Sequence, residues 1–371
     1  GGAMNAVTTH FSGSYRQEDV EFLLTPMALE PILDLAEKER LIQSGQRHYS
    51  EMLSPESLPS PAYLALFQSA FAANRLQMAR DCLRLAALIA ARRTGAITLV
   101  SLARAGTPVG VILGHLLRQV FQRECSHYSV SIIRDRGIDA NALKHILAQG
   151  HSDASIVFVD GWTGKGVISR ELRQTVHDFN AANGTAIDGG LFVLSDLAGT
   201  AACAASASDY LIPSSILNAT VSGLVSRSVL NDAIGPDDFH GCVYYAQFEQ
   251  HDQSRDFADG LVADAMAIAA SSGVPLAEAS DAPAMAARSQ AYMAAAQQQY
   301  GISDINLIKP GIGEATRVLL RRVPERLIVR DTNAPDVAHL LLLAQEKAIP
   351  VIVEPALPYQ AVALIRSAVD G

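Results

Sequence analysis

The chain has 371 residues, 49% of them hydrophobic and 18% charged, with a net charge of −9 at neutral pH. That length allows two domains with a sizeable buried core. The acidic balance argues against a surface coated with nucleic acid, while leaving room for a local basic patch. No apolar run reaches the roughly 18 residues of a membrane helix, so no membrane partner is expected. Gly1-Gly2-Ala3-Met4 reads as a tag remnant before a native Met4, and no signal peptide follows it. Cys82, Cys125, Cys203 and Cys242 include no CxxC pair; scattered thiols fit a reducing compartment, and a cytoplasmic location is expected.

In chain order, residues 15 to 94 read as mostly helical. Glu18 to Glu39 mixes apolar and acidic residues at helical spacing, with Pro26 and Pro31 as breaks. Ser54 to Pro61, with three prolines, is a connector, and Ala62 to Arg93 predicts one or two amphipathic helices. A regular alternation follows. Strands are expected at Ile97–Leu102, Tyr128–Ile133, Ile156–Asp160, Leu191–Leu194 and Tyr210–Ile212. Helices are expected at Pro108–Phe121, Ala140–Gln149 and Gly166–Asn180, with a short small-residue helix at Ala201–Ser206. Apolar strands alternating with helices predict a parallel sheet covered on both faces. Ligands of such sheets sit beyond the carboxyl ends of the strands. Residues 252 to 299 read as two helices forming a connector. A second, smaller α/β pattern then runs helix Gly313–Arg322, strand Arg326–Arg330, helix Pro335–Glu346, strand Pro350–Val353 and helix Tyr359–Ala368.

The stretch Ile156 to Gly166 is the most informative. A buried strand drives into Asp160, then Trp162, the only tryptophan, then Thr163-Gly164-Lys165-Gly166 at a helix start. Loop amides at a helix N-terminus suit a phosphate, and the acid suits hydroxyls or a metal. A Walker loop is ruled out, because Val159 stands five positions before Gly164 and Gly166 follows Lys165; no G-x-G-x-x-G is present either. Arg104 and Gly106, in the turn after the first core strand, suit a diphosphate through the guanidinium fork; an ordinary β–α turn with a surface arginine has the same composition. Arg134-Asp135-Arg136 reads equally as a loop closing over an anion or as a solvated turn. Asn218 and Arg227 suit an acceptor edge, although caps and loop hydrogen bonds explain such residues as well. His240 and Cys242, two apart on a strand, share a face, and the pair admits a thiol nucleophile. A buried cysteine packing as a small hydrophobe is the competing reading. The other histidines show no metal-ligand spacing.

Arg104 with Gly106, and Asp160 with Thr163 to Gly166, together resemble the two phosphate loops of type I phosphoribosyltransferases, over about residues 95 to 230. Gly161 stands where that family usually keeps a second acid. More narrowly, Phe11-Ser12-Gly13-Ser14-Tyr15, Arg47-His48-Tyr49-Ser50-Glu51, Val159 to Gly166 and Gly223 to Ser228 resemble the bacterial phosphoribosyltransferase-like family that accompanies tellurite-resistance and stress operons. Some members of that family carry a cysteine-protease label. Lys309 to Arg317 resembles the turn of Pelota-type RNA-binding domains, related to kink-turn binders, with Gly311, Gly313, Glu314 and Arg317 as the RNA-contacting positions.

The resemblance implies an α/β fold. A phosphoribosyltransferase-like parallel sheet with a helical N-terminal extension would be followed by a small Pelota-like α/β domain. The expected organisation is a tail over 1–14, the large domain over 15–250 with its core at 95–230, a helical connector over 251–303 and the RNA-binding domain over 304–371. It implies transfer of ribose 5-phosphate from phosphoribosyl diphosphate, with Mg²⁺, to a nucleobase-like acceptor. In that reading Arg104 and Arg134 hold diphosphate. Asp160 holds ribose hydroxyls and metal, Gly106 and Thr163, Gly164, Lys165 and Gly166 hold phosphate, and Asn218 and Arg227 hold the acceptor. The alternatives are a non-catalytic RNA-binding regulator that senses a phosphosugar or nucleotide, and a cysteine hydrolase using Cys242.

Overall fold

The computed structural model describes residues 10–28, 35–53, 56–275 and 280–366. The tag remnant at Gly1 to Met4, the break at Pro31, Ser54 and Pro55 of the connector, and the close of the last expected helix at Ala368 lie outside the described residues.

Six strands form the central sheet: β1 (Glu21–Leu23), β2 (Ile97–Leu102), β3 (Cys125–Val130), β4 (Ile156–Thr163), β5 (Leu191–Asp196) and β6 (Cys203–Ser206). Their order is β1-β3-β2-β4-β5-β6, and every pairing is parallel. The strands are apolar on both faces because helices cover both. Val157 and Val159 of β4 enter one core with helices α2 (Pro61–Arg92), α3 (Thr107–Gln119) and α6 (Ser254–Ser272). Ile156 and Phe158 enter the opposite core with α4 (Ala140–Ala148) and α5 (Val167–Asn183). This is the period-2 alternation of a strand buried on both sides.

Helix α2 is bounded by local chemistry. Ser60 Oγ accepts the Tyr63 N–H at its start, Pro61 fits the first turn, and the chain leaves helical geometry at Arg93. Helix α6 packs on α2 and α3, so this part of the expected connector belongs to the body of the large domain.

Four local expectations are corrected. Residues 21–26 form strands, because Glu21–Leu23 completes the edge of the sheet beside Tyr128–Val130 and Thr25–Pro26 pairs with Gly241–Cys242; the helix of this region, α1, spans Leu35–Gln43. Ala201–Ser206 is not helical, since Cys203 to Ser206 adds to β5 beneath α2. Tyr210–Ile212 is not a strand. The Leu211 carbonyl is taken by Asn74 Nδ2 at 2.9 Å and the Tyr210 hydroxyl donates to Asp81 at 3.0 Å, so side chains of α2 replace a ladder. The last element is β10, below, rather than a helix.

Helix α7 (Ala282–Tyr300) leads to a four-stranded sheet of β7 (Ile308–Pro310), β8 (Arg326–Val329), β9 (Val351–Val353) and β10 (Ala361–Leu364). The order is β7-β10-β8-β9, with helices α8 (Ile312–Arg321) and α9 (Ala338–Glu346) beside it. Residues 361–364 pair antiparallel with both β7 and β8 and are fully buried, which fixes them as a strand. The small domain shares a core with the large one: Ile312, Ala315 and Leu319 of α8 pack in the cluster that holds Ile212, Ile216 and Val159.

Phe158 is fully buried in the core under α5. Truncating it to alanine is expected to cost about 3–5 kcal/mol of unfolding free energy, read from urea denaturation. A cost under about 1 kcal/mol would contradict this placement of the core.

Candidate active site

The loops expected to carry chemistry meet at the carboxyl edge of the large sheet, and the small domain covers them. Strand β4 continues through Asp160, Trp162 and Thr163, which pair with Val193, Ser195 and Asp196, so only Gly164 to Gly166 form a loop. Gly166 has φ +84°, and a Cβ there would lie 2.4 Å from Thr200 Cγ2, so this start of α5 requires glycine. The Arg104 turn touches Asp160: a Cβ on Gly106 would lie 2.8 Å from the Leu102 carbonyl and 3.0 Å from Asp160 Oδ1.

The side chains around this loop have internal partners. Thr163 Oγ1 donates to Asp196 Oδ1 at 2.7 Å and accepts from the Ala198 N–H, tying β4 to the end of β5. Lys165 Nζ donates to the Ile308 carbonyl at 3.0 Å; burial and the neighbouring Lys309 push its ammonium down to about 8. Arg134 donates to Asn306 Oδ1 at 3.4 Å and lies 5.6 Å from the Tyr49 ring centre. Arg104 pairs with Glu56 at 2.8 Å and donates to the Val225 carbonyl. Arg227 donates to the Tyr49 and Met52 carbonyls, and Asn218 Oδ1 accepts from Arg321. Burial pushes the Asp160 carboxyl up to about 7, against the pull of the Gly161 N–H and Arg317.

Among the described residues no group of three or more His, Cys, Asp or Glu side chains could hold a metal ion. Asp160 is a lone carboxylate that favours its proton, and Asp196 is committed to Thr163, Thr200 and Ala201. These residues do not fit a magnesium site.

The turn Gly311 to Arg317 is pressed against the large domain. The Ile312 N–H donates to Asp209 Oδ1 at 2.9 Å, and the Gln360 N–H donates to Asp209 Oδ2 at 2.8 Å. Gly313 packs near Trp162, and a Cβ on Gly311 would lie 2.9 Å from Leu197 Cδ1. Arg317 Nε donates to the Ser215 carbonyl at 2.9 Å, its guanidinium lies 5.1 Å from the Trp162 ring centre, and Glu314 is 3.6 Å away. RNA contact through Gly311, Gly313, Glu314 and Arg317 therefore requires the domains to part.

The thiols are buried or partly buried and none is activated. Burial raises all four, to about 11 for Cys125 and about 12 for Cys242. Cys242 and His240 do not form a pair. His240 Nδ1 is 2.8 Å from Ser131 Oγ, its Nε2 is 4.0 Å from Asp139 Oδ1, and its backbone N–H donates to Asp139. Cys242 packs in the other core, near Tyr245.

Comparison with known proteins decides the family. A family model described as "Tellurite-like stress resistance cysteine protease StiP" matches residues 13–262. The protein named "Cysteine protease StiP" of Acinetobacter baylyi (strain ATCC 33305 / BD413 / ADP1) is 42% identical over 372 residues, covering 97% of this chain and 96% of that protein. The chain belongs to the StiP family. A model of the PELOTA RNA binding domain matches residues 287–367. The stress-resistance family and the Pelota-type domain therefore stand as read from the sequence. The phosphoribosyltransferase reading is overturned: the family model and the relative are both named as cysteine proteases, and neither supports a transferase.

Sequence reasoning missed Asp209, Glu56 and Tyr245. Each is an isolated polar residue without a motif, and only the fold brings it to the site.

Burial raises the Asp160 and Asp209 carboxyls, to about 7 and about 6. A raised native value means that the folded protein holds the proton more tightly. The resulting stability is full below the unfolded value and is lost as pH rises through the native one. The stability of the unmodified protein, relative to an Asp160→Asn/Asp209→Asn variant, should therefore fall as pH rises from about 4 to about 8. Parallel thermal melts measure this; a difference that is flat or rises with pH would contradict it.

Proposed function

We propose that the chain is a cysteine hydrolase of a stress response, acting through Cys242, with a C-terminal domain that binds RNA. The observation that carries the reading is the near full-length similarity to a protein named as a cysteine protease. The Pelota-model match supports the RNA-binding part.

Position favours Cys242 among the four thiols. Cys125 and Cys203 open β3 and β6, at the amino edge of the parallel sheet, and Cys82 lies inside α2 in the apolar core. Cys242 pairs with Pro26, just past the carboxyl end of β1, on the side where sites of such sheets lie. Tyr245 stands next to it and lines a cleft between the domains. In the hydrolysis, Cys242 Sγ attacks a carbonyl carbon, the amine departs with a proton, and water cleaves the thioester. A thiol held at about 12 is ionised to only about one part in 10⁵ at pH 7. The described arrangement is thus a resting one, and substrate must expose the thiol and free His240 or another base.

The state of the thiols favours a second reading, an RNA-binding regulator without hydrolysis. Cleavage of fluorescent casein by the full chain separates the two. The hydrolase reading expects Cys242→Ala to lose about 10³-fold or more in rate, with Cys125→Ala within about 2-fold of the unmodified protein. Full activity in the Cys242→Ala variant would sink the Cys242 assignment. RNA binding with no cleavage of casein would favour the regulator.

A further inference from the structure

A cleft of about 680 Å³ lies where the two domains meet, beside the covered loop and distinct from it. Among the described residues its lining sets three arginines, Arg104, Arg227 and Arg321, around one carboxylate, Glu56, in a chain whose net charge is −9. Arg104 and Arg227 come from the large domain, and Arg321 from the end of α8. Arg321 bridges the domains through its bond to Asn218. Like charges gathered at one surface repel unless an anion joins them. Burial, and then the like charge of Arg104, pull the Arg227 guanidinium below its ordinary value.

Among the described lining residues, Glu56 supplies the carboxylate. Its Oε1 pairs with Arg104 at 2.8 Å, while its buried Oε2 has no hydrogen-bond partner among the described residues. A carboxylate satisfied on one oxygen only is a weak occupant of an arginine fork. Aromatic rings line the same cleft beside them: Tyr245, close to Glu56 and Arg104, stacks on Phe248 with ring centres 5.2 Å apart, and Tyr63 also lines the cleft. The volume falls within the range of small-ligand sites, roughly 300–1,000 Å³.

We propose that this interdomain cleft binds a nucleoside monophosphate, its phosphate taking the place of the Glu56 carboxylate on Arg104 and its base lying against Tyr245. Arg321 lends the second domain to the same ligand, so the ligand ties the domains together. The proposal does not depend on which thiol acts in hydrolysis, or on whether any does.

Calorimetry on the full chain at low salt tests it, with AMP, adenosine, inorganic phosphate and pyrophosphate as probes. AMP is expected to bind at least about tenfold more tightly than adenosine, phosphate or pyrophosphate, because only it engages both the arginines and the aromatic rings. Glu56→Gln removes the competing charge and should tighten AMP binding by about 3–10-fold. Arg321→Glu, on an exposed position at the end of α8, should weaken it by about tenfold or more. A circular-dichroism melt confirms that each variant is folded. The absence of AMP binding to both the unmodified protein and Glu56→Gln would overturn the proposal. Equal affinity for AMP and pyrophosphate would overturn the base-binding half, and unchanged AMP affinity in Arg321→Glu would overturn the two-domain half.

Discussion

The arrangement depends on one carboxylate. Helix α8 is preceded by Gly311, which has no side chain to cap the free N–H groups of the first turn. Asp209, on the large domain, supplies that cap across the interface by accepting from the Ile312 N–H, and its other oxygen accepts from the Gln360 N–H. A negative charge at a helix N-terminus is favourable; enclosing it between two domains is not, and its pKa rises accordingly to about 6. Its two hydrogen bonds form a joint that fixes how the small domain is seated on the large one. Around it, Arg317 lies over Trp162, Lys165 reaches the Ile308 carbonyl, and the apolar core of the large domain runs on into α8.

That joint sets what the rest of the molecule can do. The carboxyl edge of a parallel sheet is where such folds place ligands, and here it is covered by the domain whose family binds RNA. The Lys165 loop therefore faces protein, while a group of arginines lies to one side, in the cleft that holds Arg104, Arg227 and Arg321. Cys242 lies next to Tyr245 of that cleft, and burial holds its thiol up at about 12, so it is protonated at neutral pH. Burial is the one cause of its shift, so loosening the surrounding packing would bring it toward the ordinary range.

Much of the fold was legible in the sequence, because β2, β4 and β5 are continuous apolar runs that end in polar turns. The small-residue run 201–206 and the segment 361–364 were misread as helices, because alanine favours helix unless a neighbouring strand claims the backbone. The turn that carries Arg104 lies against Asp160 through Gly106, while the Arg104 side chain turns to Glu56. The sequence assigned these residues a chemistry on a local pattern, and that pattern carries no record of what covers it. Lys165 looks like a phosphate ligand until Ile308, 143 residues away, is placed on its ammonium. Asp209 and Glu56 had no pattern at all, since a lone acid gains meaning only from the amide or guanidinium that the fold sets against it. The family signal at residues 11–15, 47–51 and 223–228 was sound, while the activity attached to it was not.

Amide hydrogen exchange at Ile312 and Gln360 tests the joint most directly. At a free helix start the Ile312 N–H would be an unpaired donor and would exchange at nearly the rate of an open chain. Slow exchange is expected at both amides in the unmodified protein, and fast exchange in Asp209→Ala while β4 and β5 keep their protection. Fast exchange at Ile312 in the unmodified protein would contradict it.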